Sequence, residues 1–94
     1  MNDDDRVFKA LADPTRRAIL ALLKERDLPA GEIAAHFPVA WASVSHHLSV
    51  LKDAGLVLAT RDGQFIRYSL NTTVVQDALQ HLLGIAPHRK ERRN

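Results

Sequence analysis

The chain has 94 residues and no cysteine, which suits one small domain around one modest core, excludes disulfide and thiolate chemistry, and reads as cytoplasmic. No apolar run approaches the roughly 18 residues of a membrane span, and the opening "MNDDDR" has neither the basic nor the apolar region of a secretory leader. The net charge is only +2, with 9 basic and 7 acidic side chains over residues 6–87, so nucleic-acid binding would have to come from local placement of charge and its doubling in a dimer.

Helical signals fill the first half. Val7, Phe8 and Leu11 mark a short amphipathic helix, and Asp3, Asp4 and Asp5 ahead of them suit its positive N-terminal end. In "DPTRRAILALLKER", Asp13 is a good N-cap and Pro14 sits where a first-turn proline costs nothing. Ile19, Leu20, Leu22 and Leu23 then repeat at helical spacing until Pro29 closes the segment. "AGEIAAHF" predicts a two-turn helix with Ile33, Ala34 and Phe37 inward, and "PVA" at 38–40 a tight connection. From Trp41 a fourth helix follows, with Val44, Leu48 and Leu51 as its buried stripe and Gly55 as its stop.

The period then changes to two. "LVLATR" and "QFIRYSL" flank Asp62-Gly63, a strong hairpin signal. Pairing Arg61 with Gln64 puts Val57, Ala59, Ile66 and Tyr68 on a core face, and Leu58, Thr60, Phe65 and Arg67 on the other. A last helix begins after Asn71, where Val74, Val75, Ala78, Leu79, Leu82 and Leu83 make an apolar face wider than one small domain needs. That width predicts a subunit interface of Val75, Leu79, Leu82 and Leu83 with Val7, Phe8 and Leu11 beside them; a helix buried on three sides in its own core is the alternative. Residues 1–87 are expected to form the domain, and 88–94, where Arg89, Lys90, Arg92 and Arg93 outnumber Glu91, a disordered basic tail.

Helix, short turn, helix and two-stranded ribbon is the order of a winged helix-turn-helix, mainly α with a β-hairpin wing, dimeric here through its first and last helices. With Val44, Leu48 and Leu51 inward, the fourth helix turns Ala42, Ser45, His46, Ser49 and Asp53 outward, with Ser43 on the flank. Small hydroxyls and an imidazole can approach base edges and phosphates closely, where long aliphatic side chains could not.

"FKALADPTRRAILALL", "SVSHHLSVLKDAGLV" and "RDGQFIRYSL", in this order and spacing over residues 6–84, resemble the ArsR/SmtB family of dimeric bacterial repressors. "SLNTTVVQD" further resembles its metal-independent autorepressor subgroup, the sporulation-delay operon repressor type. The resemblance implies a homodimer on an inverted-repeat, double-stranded DNA operator, with Ser43, Ser45, His46 and Ser49 meeting the major groove. It places Arg61, Gln64 and Arg67 of the wing near phosphates or the minor groove. Lys52, with Arg16 or Arg17, is a further phosphate candidate, although both of those arginines also suit a solvated or salt-bridged helix start. His47 and Leu48 match the family's "HL", and His47 reads as structural. Three departures stand out: Gln64 replaces a usually basic wing residue, Ala40 cannot cap the fourth helix, and Trp41 replaces a usually polar one. Trp41 either packs on Phe37 or Pro38 or presses on a DNA sugar edge.

Other readings are weaker. The metal positions of the family fall on Pro29 and Gly31, and on Thr72, Val74, Ile85 and His88, of which only His88 can coordinate. No metal or other cofactor is expected, although Asp77 and His81, four apart on one helix, leave a new site conceivable. Catalysis by Ser45 or Ser49 with a histidine and Asp53 is excluded, because side chains on one helix diverge radially and line no pocket. A repressor answering to a metal or small molecule, and a winged helix that binds protein, stay open as alternatives. The sequence names no effector.

Overall fold

In a computed structural model, residues 3–84 are described. Helices α1 (Asp3–Leu11) and α2 (Pro14–Glu25) lead to a two-residue strand β1 (Leu28–Pro29), then α3 (Ala30–Ala34) and α4 (Trp41–Asp53). Strands β2 (Val57–Asp62) and β3 (Phe65–Leu70) form the wing, and α5 (Thr72–Leu82) closes the described chain. The expected tail, with Ile85 and His88, lies outside the described residues.

The helix ends follow their local chemistry. Asp13 caps α2, its Oδ2 accepting from the Arg16 N–H at 3.0 Å, with Pro14 in the first turn. Gly55, at φ +78°, ends α4 by turning left-handed. Its N–H donates to the Lys52 carbonyl at 2.9 Å, and the Leu56 N–H to the Leu51 carbonyl at 3.0 Å. That bond pair is a Schellman ending, and Leu51 and Leu56 are both fully buried beside it.

One core is shared by every element. Val7 and Ala10 of α1, Ile19, Leu20 and Leu23 of α2, Leu28, Ile33, the α4 stripe of Val44, Leu48 and Leu51, then Leu56, Val57 and Ala78 are all buried. Leu22 and Phe37 pack half-buried against them.

Three expectations need correction. The α3 helix is a single turn: the His36 and Phe37 N–H groups bond three residues back, to Ile33 and Ala34, tightening the chain ahead of Pro38. A third strand exists, because Leu28 pairs with Tyr68 and Pro29 with Arg67, giving an antiparallel sheet in the order β1-β3-β2. Pro29, which cannot donate to a ladder, is tolerated there at the sheet edge. Finally, Asp62 pairs with Phe65, so the turn is Gly63-Gln64 rather than Asp62-Gly63, and Arg61 faces Ile66 rather than Gln64. Gly63, at φ +64°, holds the first turn position that two-residue hairpins give to glycine. The register moves by two residues, so side-chain parity is kept. Val57, Ala59, Ile66 and Tyr68 face the core, and Leu58, Thr60, Phe65 and Arg67 are exposed, as the alternation predicts.

Candidate nucleic-acid interface

The α4 helix is anchored on one side only. Val44, Leu48 and Leu51 are buried, while Ala42, Ser43, Ser45, His46, Ser49, Lys52 and Asp53 are all exposed. No described element covers the serine-and-histidine side. The helix begins without help from a side chain: Ala40 has the extended backbone of a cap, φ −63° and ψ 149°, but makes no capping bond. Trp41 is 54 % exposed at this end.

The two adjacent histidines divide their work. His46 lies exposed with no hydrogen bond among the described residues, its ring 5.9 Å from that of His47 and tilted by 52°. His47 is half-buried, and its Nδ1 lies 3.2 Å from Arg16 Nη1. A guanidinium can only donate, so His47 accepts at Nδ1 and carries its proton on Nε2. Asp13 Oδ2 lies 3.8 Å from the same nitrogen. The Arg16 N–H bond, aided by the neighbouring His47 and Arg16 side chains, holds the Asp13 carboxyl below its usual range.

Arg16 and Arg17 serve the end of α1. Arg16 Nε donates to the Ala10 carbonyl at 2.7 Å and Nη2 to that of Lys9 at 3.0 Å, and Arg17 Nη1 reaches the Leu11 carbonyl at 2.8 Å. These carbonyls lie in the last turn of α1, where cations are favoured, and that of Lys9 also accepts from the Ala12 N–H at 3.2 Å. Both arginines thus have a structural use at the end of α1. The "TRR" signal was visible in the sequence; its destination six or seven residues back was not.

On the wing, Arg61 and Arg67 project from opposite faces of the ribbon, since Arg61 pairs with Ile66 and Arg67 with Thr60. Gln64 is exposed in the turn. Arg67 is occupied: Nη2 and Nε both donate to Asp62 Oδ2, at 3.0 and 3.1 Å. Phe65, on the same face and 66 % exposed, was not singled out from the sequence, although the alternation had placed it outward.

The apolar face of α5 exceeds what the protomer's core absorbs. Ala78 is buried, and Val74 and Val75 are half-buried, but Leu79, Leu82 and Leu83 stay 51 %, 58 % and 73 % exposed. The alternative of a helix buried on three sides does not fit that exposure. Phe8 and Leu11 are half-buried on α1, which touches α5, whereas Val7 is 7 % exposed and committed to its own core, with little surface left for a partner.

Asp77 and His81 form no ion pair: His81 Nδ1–H donates to the Asp77 backbone carbonyl at 3.0 Å. Among the described residues no three His, Asp or Glu side chains gather as a metal cluster. No described helix is long and apolar enough to cross a membrane.

Comparison with known proteins agrees with this geometry. Residues 13–58 match the family model for bacterial regulatory proteins of the arsR family. The transcriptional repressor SdpR of Bacillus subtilis is 56 % identical over 78 residues, covering 83 % of this chain and 87 % of its own. Among solved structures, an ArsR-like transcriptional regulator from Rhodococcus superposes with a TM-score of 0.77 at 32 % identity, over 87 % of this chain and 77 % of that one. The homodimeric winged helix-turn-helix DNA-binding domain of a possible ArsR-family regulator from Mycobacterium bovis superposes with a TM-score of 0.75 at 29 % identity, over 95 % and 87 %.

Proposed function

The chain belongs to the ArsR family of bacterial regulatory proteins, whose relatives here are transcriptional regulators rather than enzymes, and on that premise we propose that it represses transcription as a homodimer on an inverted-repeat operator, without a metal effector. The observation that carries this reading is the bare side of α4. Ser43, Ser45, His46 and Ser49 stand in solvent above a stripe that is fully anchored. In a twofold pair joined through Leu79, Leu82 and Leu83 of α5, with Val75, Phe8 and Leu11 at the margin, two such sides would meet successive major grooves. His46 and the serines would read base edges. Lys52, Arg61 and Gln64 would hold phosphates, while Arg67, restrained by Asp62, would add a further phosphate contact only when released from it. Trp41, half-exposed where α4 begins, would lie against the sugar edge.

Repression then needs only occupancy of an operator that overlaps a promoter. Should that promoter be the repressor's own, mass action on the dimer sets its level. Independence from metal rests on the side chains at the family's ligand positions, of which Pro29, Gly31, Thr72 and Val74 offer none of the imidazole, thiolate or carboxylate ligands that zinc takes.

Binding-site selection with the purified chain tests the proposal. Enrichment of an inverted repeat with half-site centres about one helical turn apart is expected. Failure to enrich any repeated half-site would overturn it. Zinc titrated into the operator complex should leave affinity unchanged; stoichiometric binding that releases the operator would replace this reading with a metal-responsive one.

A small-molecule effector is the second reading, favoured by one feature. A groove of about 350 Å³ runs between α1, the end of α4 and α5, lined by Val7, Phe8, Lys52, Asp53, Val74 and Asp77. That is at the lower end of ligand-site volumes.

A further inference from the structure

We propose that Arg16 is a positioning residue that fixes α4 relative to the subunit contact, and so sets the distance between the two reading helices of a dimer. The inference rests on the DNA-binding reading above and extends it to the spacing of half-sites.

Arg16 meets three elements at once. It binds two carbonyls at the end of α1, Ala10 at 2.7 Å and Lys9 at 3.0 Å. Its own N–H is the one that Asp13 uses to cap α2. Its remaining nitrogen donates to His47 on α4 at 3.2 Å. Among the described residues, this is the one side-chain hydrogen bond that ties α4 to another element. Beyond the longer approach of Asp13 Oδ2 to the same His47 nitrogen, at 3.8 Å, what holds α4 in the core is apolar: Val44, Leu48 and Leu51 resist withdrawal, but burial has no direction and opposes sliding or rolling only weakly. A planar guanidinium with three of its nitrogens engaged does have direction.

The consequence lies in the dimer. The α1 helix touches α5, the helix with the unburied leucines, so a link from α1 to α4 is a link from the subunit contact to the recognition surface. His47 also stands next to His46, ring centroids 5.9 Å apart, so the same bond braces a side chain of the reading face. Adding one base pair between half-sites moves one of them by about 3.4 Å and turns it by about 35°. A braced α4 cannot follow that displacement, and an unbraced one follows it in part.

The test uses the full chain, its selected operator, and duplexes with the spacer shortened or lengthened by one base pair. The wild type should discriminate against the altered spacers by about tenfold or more, the range that specific complexes lose per defect. His47→Leu should cut that discrimination to a few-fold while keeping its base preference within each half-site. His47→Gln, which offers an acceptor in place of Nδ1, should restore it. Arg16→Lys should fail to restore what Arg16→Met loses, because one ammonium cannot span three acceptors. If Arg16→Met does not fold or dimerise, judged by circular dichroism and sedimentation, the two His47 variants decide the matter, since they leave the α1 contacts intact. Equal loss of affinity at every spacing in His47→Leu, or retention of the wild-type discrimination, overturns the proposal. Absence of any repeat selected by the wild type would instead sink the DNA-binding reading, and this inference with it.

Discussion

Replacing Asp62 by asparagine isolates what charge on the wing does. In the folded chain Asp62 Oδ2 accepts from Arg67 at 3.0 and 3.1 Å. Two unit charges at that separation attract by about 1.4 kcal/mol in bulk water. The side chains are 43 % and 59 % exposed, so salt and side-chain entropy reduce the pair to about 0.2–1 kcal/mol. The fold should scarcely register the change. A duplex should register it clearly, because one anion per subunit disappears and one guanidinium is released. With two such releases per dimer and a slope of about −0.9 per phosphate contact, the dependence of log affinity on log salt steepens by about 1.8. Between about 50 and 200 mM salt, that amounts to about a 12-fold additional loss. Fluorescence anisotropy on the operator and on a scrambled duplex measures it, and both should steepen alike because phosphates carry no sequence. Combining Asp62→Asn with Arg67→Ala should remove the gain. An unchanged slope in the single variant, or a gain that survives loss of Arg67, would refute the view that Asp62 restrains Arg67.

Ala40→Ser supplies the missing cap of α4 and should stabilise by about 0.5–2 kcal/mol. In calorimetry at fixed concentration each kcal/mol raises Tm by about 4–8 °C. Leu79→Glu with Leu82→Glu should leave circular dichroism intact, turn the dimer into monomer on sedimentation and abolish operator binding; a persisting dimer would place the subunit contact elsewhere. His46→Ala should relax preference at one base position by about 1–3 kcal/mol without altering the salt slope, so an equal loss on every sequence would deny it a reading role. The Asp13 carboxyl titrates below its usual range because it accepts the Arg16 N–H. Its contribution is therefore full above the unfolded value of about 3.9 and disappears as pH falls through the lower folded value. Asp13→Asn should flatten that acid limb in pH-dependent melts, and an unchanged limb would assign acid sensitivity to other groups.

What the chain announces of itself is mostly local. Asp13-Pro14 marks a helix start and Gly55 a helix stop because each satisfies orphan backbone groups within a few residues. The α4 stripe and the wing's alternation are periodicities, and both hold in the structure. The partnership of Leu28 with Tyr68 was illegible, since two residues have no period and their partner lies in a distant strand. The hairpin is legible but its register is not, because Asp-Gly is the stronger dipeptide signal, whereas here Gly63 itself takes the left-handed first position. For the candidate site, the exposed side of α4 could be read from its wheel, and the occupation of Arg67 by Asp62 could not. The roles of Arg16 and His47 were half visible: their residue types invite bonding, but their meeting depends on how α2 crosses α4.

The short strand β1 has a mechanical corollary. Because Leu28 and Pro29 grip β3 at Tyr68 and Arg67, the ribbon is a cantilever clamped along its β3 edge at the root and overhanging only from about Ile66 to the tip. Bending against a curved groove is thereby concentrated at Gly63 and its neighbours. The root transmits force to the α2–α3 junction instead of yielding, so the tip can adapt to the width of a groove while the body of the domain keeps its attitude.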